Sequence, residues 1–253
     1  MSWGAARGAM TDAERYSFDL QGFLVRRGAL SGGEVRTLRA AVAELGVGPP
    51  SASLHSQRFN GHLTRHAAFR DLIDHPAVLD VVIELCGPNV RLDHAYGIVM
   101  APRSSGLGLH GGGTPHDPSQ YYAVHGGRMH NGLVGVQWAL VDHRVGDGGF
   151  GCIPGSHKAN FPLPPDHDQR LVTEVPMAAG DVVIFTEALT HCTIPWRGKG
   201  ERQTLIFKYS PGHLAWGPDY EELQSLVPLL TPQQQRLLQK PSVHAHRPVR
   251  ERG

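Results

Sequence analysis

Residues 133–157 read LVGVQWALVDHRVGDGGFGCIPGSH, and this stretch decides the fold class. An apolar run over residues 133–141 leads into a glycine-rich turn, a second apolar run over 150–153 and a Pro-Gly turn. Short apolar runs bounded by glycine and proline are typical of strands. Many short strands without alternating helices favour an all-β barrel or sandwich over a parallel α/β sheet.

Similar punctuated runs extend on both sides of this stretch. The further candidate strands are 90–100, 107–111, 171–175, 181–185 and 204–209. The N-terminal third is different. It has a short apolar run at 23–25, and Ser31 precedes Glu34 by three residues, which is the spacing of a capping box that opens a helix through Leu45.

The remaining segments complete the expected layout. Residues 69–86 predict one amphipathic helix that ends at Gly87-Pro88, and 48–66 predict a loop. Residues 1–14 are expected to be a frayed tail, and 218–239 predict two short helices interrupted by prolines. We therefore expect a single domain over 1–253, with a barrel core at about 90–215 and helical flanks at about 17–89 and 216–240.

Bulk composition excludes several classes of protein. The formal net charge is +1, so no strong field favours a nucleic acid polymer or a membrane surface. The cysteines number three and lie far apart, which predicts neither a disulfide framework nor a zinc site. No secretory signal or apolar span is visible, so we expect a cytoplasmic protein, monomeric or homodimeric.

His191 follows an apolar strand candidate, and Arg202 comes eleven positions later, at the start of the next one. A neutral imidazole is a good ligand for iron(II), and a guanidinium binds a carboxylate through two parallel hydrogen bonds. A metal ligand and a carboxylate clamp on neighbouring strands would suit a chelating keto acid. Taken alone, the pattern is weak, and a structural histidine and a surface arginine explain it better.

His110 is the second candidate ligand. It ends the run Gly106-Leu-Gly-Leu-His and is followed by three glycines, Gly111 to Gly113. Glycines beside a ligand allow close approach of backbone or of a small molecule, although the run would equally serve as a plain turn. His125 and His130 also precede a glycine by one or two positions, but neither follows a comparable strand.

Together these pieces resemble the phytanoyl-CoA dioxygenase-like family of Fe(II)/2-oxoglutarate-dependent oxygenases. The resemblance is carried by the Trp138-Ala-Leu-Val strand, the turn at 146–149, the Pro-Gly-Ser-His turn at 154–157 and the opening strand and capped helix, and it covers about residues 17–215. It implies a mainly β fold, a double-stranded β-helix of the jelly-roll or cupin-like type, with flanking N-terminal and C-terminal helices.

The resemblance also implies roles for individual residues. His110 and His191 would bind iron(II), and Arg202, assisted by Thr193, would bind 2-oxoglutarate, with O₂ as the co-substrate. His157 would belong to an architectural turn. Tyr121, Tyr122 and Trp196 flank these segments and are candidates for lining a substrate pocket.

One position departs from the pattern of the hydroxylases. They carry His-x-Asp or His-x-Glu at the first ligand, whereas here Gly112 stands where the carboxylate is expected. Related halogenases show this variant and bind chloride at that position. The resemblance therefore predicts chlorination of an aliphatic carbon of a small molecule, such as a nucleotide or another natural product, with no carrier protein indicated.

Two alternatives stay open. Asp117 or Asp147 would supply a relocated carboxylate, and the enzyme would then be a hydroxylase. A cupin-like protein that binds a ligand without turnover is the other alternative, but it would have no need of the keto-acid clamp at Arg202.

Overall fold

The computed structural model describes residues 9–47, 56–114, 116–217, 224–244 and 247–250. The helices within these ranges are α1 Asp12–Gln21, α2 Gly32–Glu44, α3 His62–Arg65, α4 Ala67–Arg70, α5 Leu79–Cys86 and α6 Pro232–Leu237. The strands are β1 Phe23–Arg26, β2 Ser56–Phe59, β3 Arg91–Met100, β4 Leu107–His110, β5 Tyr122–His125, β6 Arg128–Asn131, β7 Val134–Ala139, β8 Gly149–Cys152, β9 Thr173–Glu174, β10 Val182–Thr186, β11 His191–Ile194 and β12 Arg202–Ser210.

Two antiparallel sheets form the body of the molecule. The larger has the order β1-β10-β7-β12-β3-β2, and the smaller has the order β4-β11-β8-β9. The sequence-distant neighbours in both sheets are the crossovers of a double-stranded β-helix. The strands β5 and β6 form a separate hairpin. The predicted mainly β, jelly-roll fold is therefore confirmed.

Strand β12 shows how one strand serves two environments. Leu205, Phe207 and Tyr209 are buried in the apolar core that the helices share with the large sheet. Because successive side chains of a strand point to opposite faces, Thr204 and Lys208 point into the barrel instead. The outer face of the large sheet thus builds the core, and its inner face is free to carry polar groups.

The N-terminal elements confirm one prediction and correct another. Ser31 and Glu34 form the predicted capping box of α2, and β1 is present. Residues 1–14 were expected to be a frayed tail, which is wrong from Thr11 onward. Thr11 and Glu14 form a capping box that starts α1, and the preceding residues 1–8 lie outside the described part of the chain.

The single helix expected over 69–86 is wrong. Helix α4 ends at Arg70, turns follow, and α5 begins only at Leu79. Pro76 lies in the gap, where it has no N–H to donate and disfavours a helical conformation of the residue before it. The His75 ring accepts a hydrogen bond from the Ala77 N–H, which stabilises the non-helical turn.

The loop expected over 48–66 is also partly wrong, because β2 and α3 lie within it; residues 48–55 are outside the described ranges. The strand expected over 171–175 shortens to Thr173–Glu174 after a 3₁₀ turn. Strands β5, β6 and β11 were not predicted. Near the C-terminus the structure has a 3₁₀ turn at Val227–Leu229 and α6, while 218–223 are not described. None of the described helices is long and apolar enough to cross a membrane.

Candidate metal centre

The two predicted histidines meet across neighbouring strands of the small sheet. His191 opens β11 and lies directly opposite His110, the last residue of β4, in antiparallel register. Their ring centroids are 4.2 Å apart. His191 is buried and His110 is exposed, so the pair lies at the boundary between the interior and the surface. His191 therefore begins a strand of its own, which the sequence patterns did not predict.

Both rings are oriented by backbone carbonyls. The Nδ1 atom of His110 lies 2.8 Å from the Gly108 carbonyl oxygen, and that of His191 lies 2.7 Å from the Leu189 carbonyl oxygen. Since a carbonyl only accepts, the proton is on Nδ1, and Nε2 keeps its lone pair for a metal. Burial lowers the pKa of His191 to about 4, so this imidazole is neutral at pH 7.

A buried carboxylate that sequence reasoning missed lies beside the histidines. The Oε2 atom of Glu187 is 3.9 Å from Nε2 of His191, and its Oε1 atom accepts a short hydrogen bond from the Lys208 ammonium. Burial is the largest single influence and would raise the pKa of Glu187, but the charge and hydrogen bond of Lys208 and the neighbouring histidines together lower it. Glu187 is thus an anion aimed at the histidine pair.

The signal for Glu187 was present in the sequence. An ionisable residue directly after the buried strand β10, four positions before His191, is unusual because buried carboxylates need a partner. Its proximity to His110 and Lys208, however, depends on three different strands. In the described part of the chain no three His, Cys, Asp or Glu side chains stand in metal-binding geometry. Lys208 bonds one carboxylate oxygen of Glu187.

The glycines after His110 bring its strand close to this segment. A Cβ atom on Gly111 would lie 2.9 Å from Nδ1 of His191 and 2.8 Å from the Glu187 carbonyl oxygen. Gly112 has φ +104° and donates its N–H to the Glu187 carbonyl oxygen over 3.1 Å. A positive φ of this size favours glycine over any residue with a side chain.

Neither aspartate proposed as a relocated carboxylate is free. Asp117 accepts hydrogen bonds from the N–H and hydroxyl of Ser119, and Asp147 accepts one from the N–H of Arg144. Each carboxylate closes its own turn. The structure therefore gives Glu187, and not Asp117 or Asp147, the position nearest to His191.

Arg202 is a buried cation without an acidic partner among the described residues. It begins β12, as predicted, and it is 1% exposed. Its Nε atom has no hydrogen-bond partner, and one terminal nitrogen lies 3.1 Å from the Met100 sulfur. Burial lowers the pKa of Arg202 to about 10, so it stays charged at pH 7. A buried, unpaired guanidinium is costly unless an anion binds it.

Further polar atoms inside the barrel also lack partners. They include Nε2 of Gln137, Oγ1 of Thr204 and both ring nitrogens of His143. His143 adjoins Arg202, since a Cβ on Gly149 would touch both side chains. Burial lowers the pKa of His143 to about 2, with a further contribution from Arg202. These atoms surround Arg202 with unused hydrogen-bonding capacity, which suits a polar ligand.

The other predicted residues fall in different places. Thr193 follows His191 by two positions on β11 and so points to the same side of that strand. Tyr121 and Tyr122 line a surface groove of about 590 Å³ with Asp19, His157 and Lys158. Trp196 is buried in the interior. It is 1% exposed, packs against His143 and donates to the Gly200 carbonyl oxygen.

His157 has the architectural role that was expected. It is buried, and its Nε2 atom lies 3.0 Å from the Asp19 carbonyl oxygen, which ties the Pro-Gly-Ser-His turn to α1. His125 and His130 lie exposed on the β5–β6 hairpin, and the described contacts link neither of them to His191.

Comparison with known proteins identifies the family. Residues 18–204 match the sequence profile of the phytanoyl-CoA dioxygenase family. The chain belongs to this family. It is accordingly an Fe(II)/2-oxoglutarate-dependent oxygenase, and the resemblance inferred from the motifs is confirmed. No functionally curated protein matches the chain.

Solved structures of this fold are similar over most of the chain. HygX from Streptomyces hygroscopicus, with nickel and 2-oxoglutarate bound, is 29% identical, with a TM-score of 0.74 over 82% of this chain and 89% of HygX. HygX has also been solved with hygromycin B bound, and that structure is 28% identical, with a TM-score of 0.73 over 81% and 89%. The carbocyclase SnoK from nogalamycin biosynthesis shares the fold at 18% identity, with a TM-score of 0.66 over 91% and 95%.

Proposed function

We propose that this oxygenase holds iron(II) through His110, His191 and Glu187, binds 2-oxoglutarate through Arg202, and oxidises an unactivated carbon of a small natural product. The observation that carries the proposal is the buried Glu187 carboxylate, whose Oε2 lies 3.9 Å from Nε2 of His191. Two imidazoles and one carboxylate are the donor set of the non-haem iron(II) oxygenases.

The distances fit this donor set after a small adjustment. Two ligand atoms at right angles on one metal ion, each about 2.1 Å from it, lie about 3 Å apart. The carboxylate of Glu187 is therefore roughly one ångström too far from His191 for direct use. Movement away from Lys208 toward the histidines would close the gap, and a divalent cation would favour that movement.

Arg202 has the properties required to bind the keto acid. Its guanidinium is buried, charged and unpaired in the described structure, and such a group binds a carboxylate strongly. Thr193, on the inward side of β11, would add a hydroxyl donor. The unpartnered atoms of Thr204 and Gln137 give the same part of the barrel further polar contacts.

Iron(II), 2-oxoglutarate and O₂ together supply the oxidising power of this enzyme class. The chain contributes orientation and exclusion of water. Phe185 lies with its ring centroid 4.8 Å from that of His191, and the ring of Phe150 stacks on His191 at 6.0 Å. These rings keep solvent from the inner side of the centre and leave access from the side of the exposed His110.

The similar structures support a proposal for the substrate class. HygX has been solved with hygromycin B, and both SnoK and the epimerase SnoN come from nogalamycin biosynthesis. These names support a free small molecule of natural-product type as the substrate. SnoK is a carbocyclase and SnoN an epimerase, so enzymes of this fold have reaction outcomes other than hydroxylation.

Chlorination is the second candidate function, and Gly112 is the observation that favours it. A glycine in place of the expected carboxylate leaves room for chloride on the metal. Two features weigh against this. The φ of +104° and the hydrogen bond to Glu187 give the backbone its own reason to have glycine there. In addition, the anion Glu187 already lies where a positively charged centre would attract chloride.

X-ray absorption at the iron edge of the protein loaded with iron(II) and 2-oxoglutarate separates the two candidates. In saturating bromide, we expect only oxygen and nitrogen neighbours around the iron, with succinate still formed when O₂ is admitted. A bromine neighbour at the iron would contradict the proposal and support the halogenase. Gly112→Asp is a poor test, because aspartate is strained at this φ.

A further inference from the structure

A second arginine without an acidic partner among the described residues lies on the edge strand β2 of the large sheet. Arg58 is exposed on β2, opposite Ile98 of β3, and its guanidinium carbon is 3.7 Å from the centroid of the Tyr96 ring. No carboxylate of the described residues pairs with it. Stacking uses the flat face of a guanidinium and leaves its N–H edge free to donate to an anion.

Strand register places Arg58 on the same side as the candidate metal centre. On β3, His94 lies opposite Lys208, and Tyr96 lies opposite Ile206 of β12. The Lys208 ammonium bonds Glu187, which faces His191. Arg58 is close enough to Lys208 to oppose its protonation, although burial and Glu187 dominate the pKa of that lysine. Arg58 is thus separated from the centre by the Glu187–Lys208 pair.

A row of flat rings continues outward from this point. His94 stacks on Tyr96 with a centroid distance of 5.8 Å and on Trp216 with one of 5.2 Å. Asp93 holds the row in place, because it lies 2.8 Å from Nδ1 of His94 and accepts a hydrogen bond from the Trp216 N–H. Trp216 is about half exposed, so the outer end of the row is open to a ligand.

Of the cationic side chains near the centre, one has no assigned anionic partner. Lys208 is neutralised by Glu187, and Arg202 is assigned to 2-oxoglutarate. Arg58 has neither an internal partner nor a role in the proposed function. An additional unpaired guanidinium on the same side of the sheet as the metal centre attracts anions and repels cations.

We propose that Arg58 binds a carboxylate or phosphate group of the substrate, with Trp216, at the open end of the row, as the platform for a ring of the same substrate. This rests on the proposed function, because it takes the centre at His110 and His191 as the place of turnover. It narrows the substrate from any small natural product to one that carries an anionic group.

Calorimetric titration with simple probes tests this without knowledge of the substrate. The protein is loaded with nickel(II) and N-oxalylglycine, an unreactive 2-oxoglutarate analogue that fills the Arg202 site. It is then titrated at constant ionic strength with phenyl phosphate, benzoate and the neutral benzyl alcohol. The variants are Arg58→Gln, Arg58→Lys and, as a matched control, Arg39→Gln on the exposed face of α2.

We expect Arg58→Gln to weaken binding of at least one anionic probe about tenfold or more, as the loss of a charge-assisted hydrogen bond does. Arg58→Lys should recover part of the lost affinity, and Arg39→Gln should bind the anionic probes as the parent does. Benzyl alcohol should bind equally to all variants. The preferred probe tells phosphate from carboxylate. Equal anion binding by Arg58→Gln and parent, or no binding of either anion by the parent, would overturn the inference.

The same samples keep this inference separate from the proposed function. Affinities for nickel(II) and N-oxalylglycine are measured first, and Arg58→Gln should leave both unchanged. Loss of either in Arg58→Gln would make the arginine a structural residue and overturn the inference. A parent that binds neither would contradict the proposed function instead.

Discussion

The two faces of β12 are both buried but differ in polarity. Its outer residues Leu205, Phe207 and Tyr209 are buried among apolar side chains, and the Tyr209 hydroxyl donates to the Ile73 carbonyl oxygen over 2.8 Å. On the inner side of the barrel, Arg202 and Thr204 are equally buried yet keep unpartnered polar atoms. The strand thus stabilises the fold with one face and leaves binding capacity on the other.

The comparison makes a physical distinction between stability and binding. A buried polar atom without a partner costs about 1–3 kcal/mol. A protein retains unsatisfied polar groups where a bound ligand satisfies them. A cluster of such groups inside an otherwise well-packed barrel therefore indicates a binding site. Substitutions on the outer face should therefore change the free energy of unfolding, and those on the inner face should change ligand affinity.

The largest effect on stability is expected from Phe207→Ala on the outer face. Removal of a fully buried phenyl ring should lower the free energy of unfolding by ~3–5 kcal/mol, through lost burial and the cavity that remains. Urea denaturation measures this. Phe207→Leu is the matched control, with a smaller loss. Affinity of the folded variant for 2-oxoglutarate should stay unchanged; a parallel fall would mean that the two faces are not independent.

Arg202→Ala on the inner face should have the opposite profile. Loss of the clamp should weaken 2-oxoglutarate binding by ~2–5 kcal/mol, as truncation of a buried charge pair does. Stability of the ligand-free protein should not fall, because an unpaired buried cation is removed. Calorimetry of the iron-loaded protein and urea denaturation give the two numbers. Arg202→Lys should restore charge but not two-point binding. Unchanged 2-oxoglutarate affinity would place the clamp elsewhere.

His62 is a polar exception on the outer side, and its removal should have the smallest effect. It is fully buried between Phe69 and Phe207, and neither ring nitrogen has a partner. Burial lowers the pKa of His62 to about 4, against 6.5 for an ordinary histidine. The unfolded chain therefore binds the proton first, so the protein loses stability as pH falls from about 6.5 toward 4.

His62→Leu should raise stability at pH 7 by ~1–3 kcal/mol, because an unsatisfied buried group is replaced by an apolar one. The gain should widen at pH 5, where the parent begins to pay for the proton. Thermal unfolding at the two pH values measures this, with His130→Leu on the exposed hairpin as the control. A gain that shrinks at pH 5 would reverse the sign of the linkage.

The features that could be predicted from the sequence are those that depend on local patterns. The capping box at Ser31, the strands β3, β7 and β10 and the pair His110–His191 follow from local patterns or motifs. The break at Pro76 was visible but was outweighed by the helical periodicity around it. Strand β2 was taken for a loop because it exists only through its pairing with β3.

Glu187 could not be placed by any local rule. Its role depends on β4, β11 and β12 meeting at one point, whereas the sequence directs attention to the position two residues after His110. Gly112 suggested a vacant ligand position for the same reason. Only the fold shows that a carboxylate from elsewhere in the chain lies beside the histidines and that the glycine has a backbone reason to be there.

The central claim is that Glu187 is a metal ligand and not merely the partner of Lys208. Metal-induced thermal stabilisation by nickel(II), measured for Glu187→Gln, Lys208→Met and the surface control Glu201→Gln, separates these roles. Both inner variants lose the ion pair, so both should be less stable without metal. A bound metal stabilises in proportion to its affinity for the folded state.

We predict that nickel(II) stabilises Lys208→Met at least as much as the parent, because Glu187 is then released toward the histidines. In Glu187→Gln the affinity should fall by more than the roughly 10–100-fold that accompanies loss of an outer partner of a ligand. Glu201→Gln should match the parent. Equal metal stabilisation of Glu187→Gln and the parent, with Lys208→Met also unchanged, would contradict the account and leave two histidines as the protein's share of the centre.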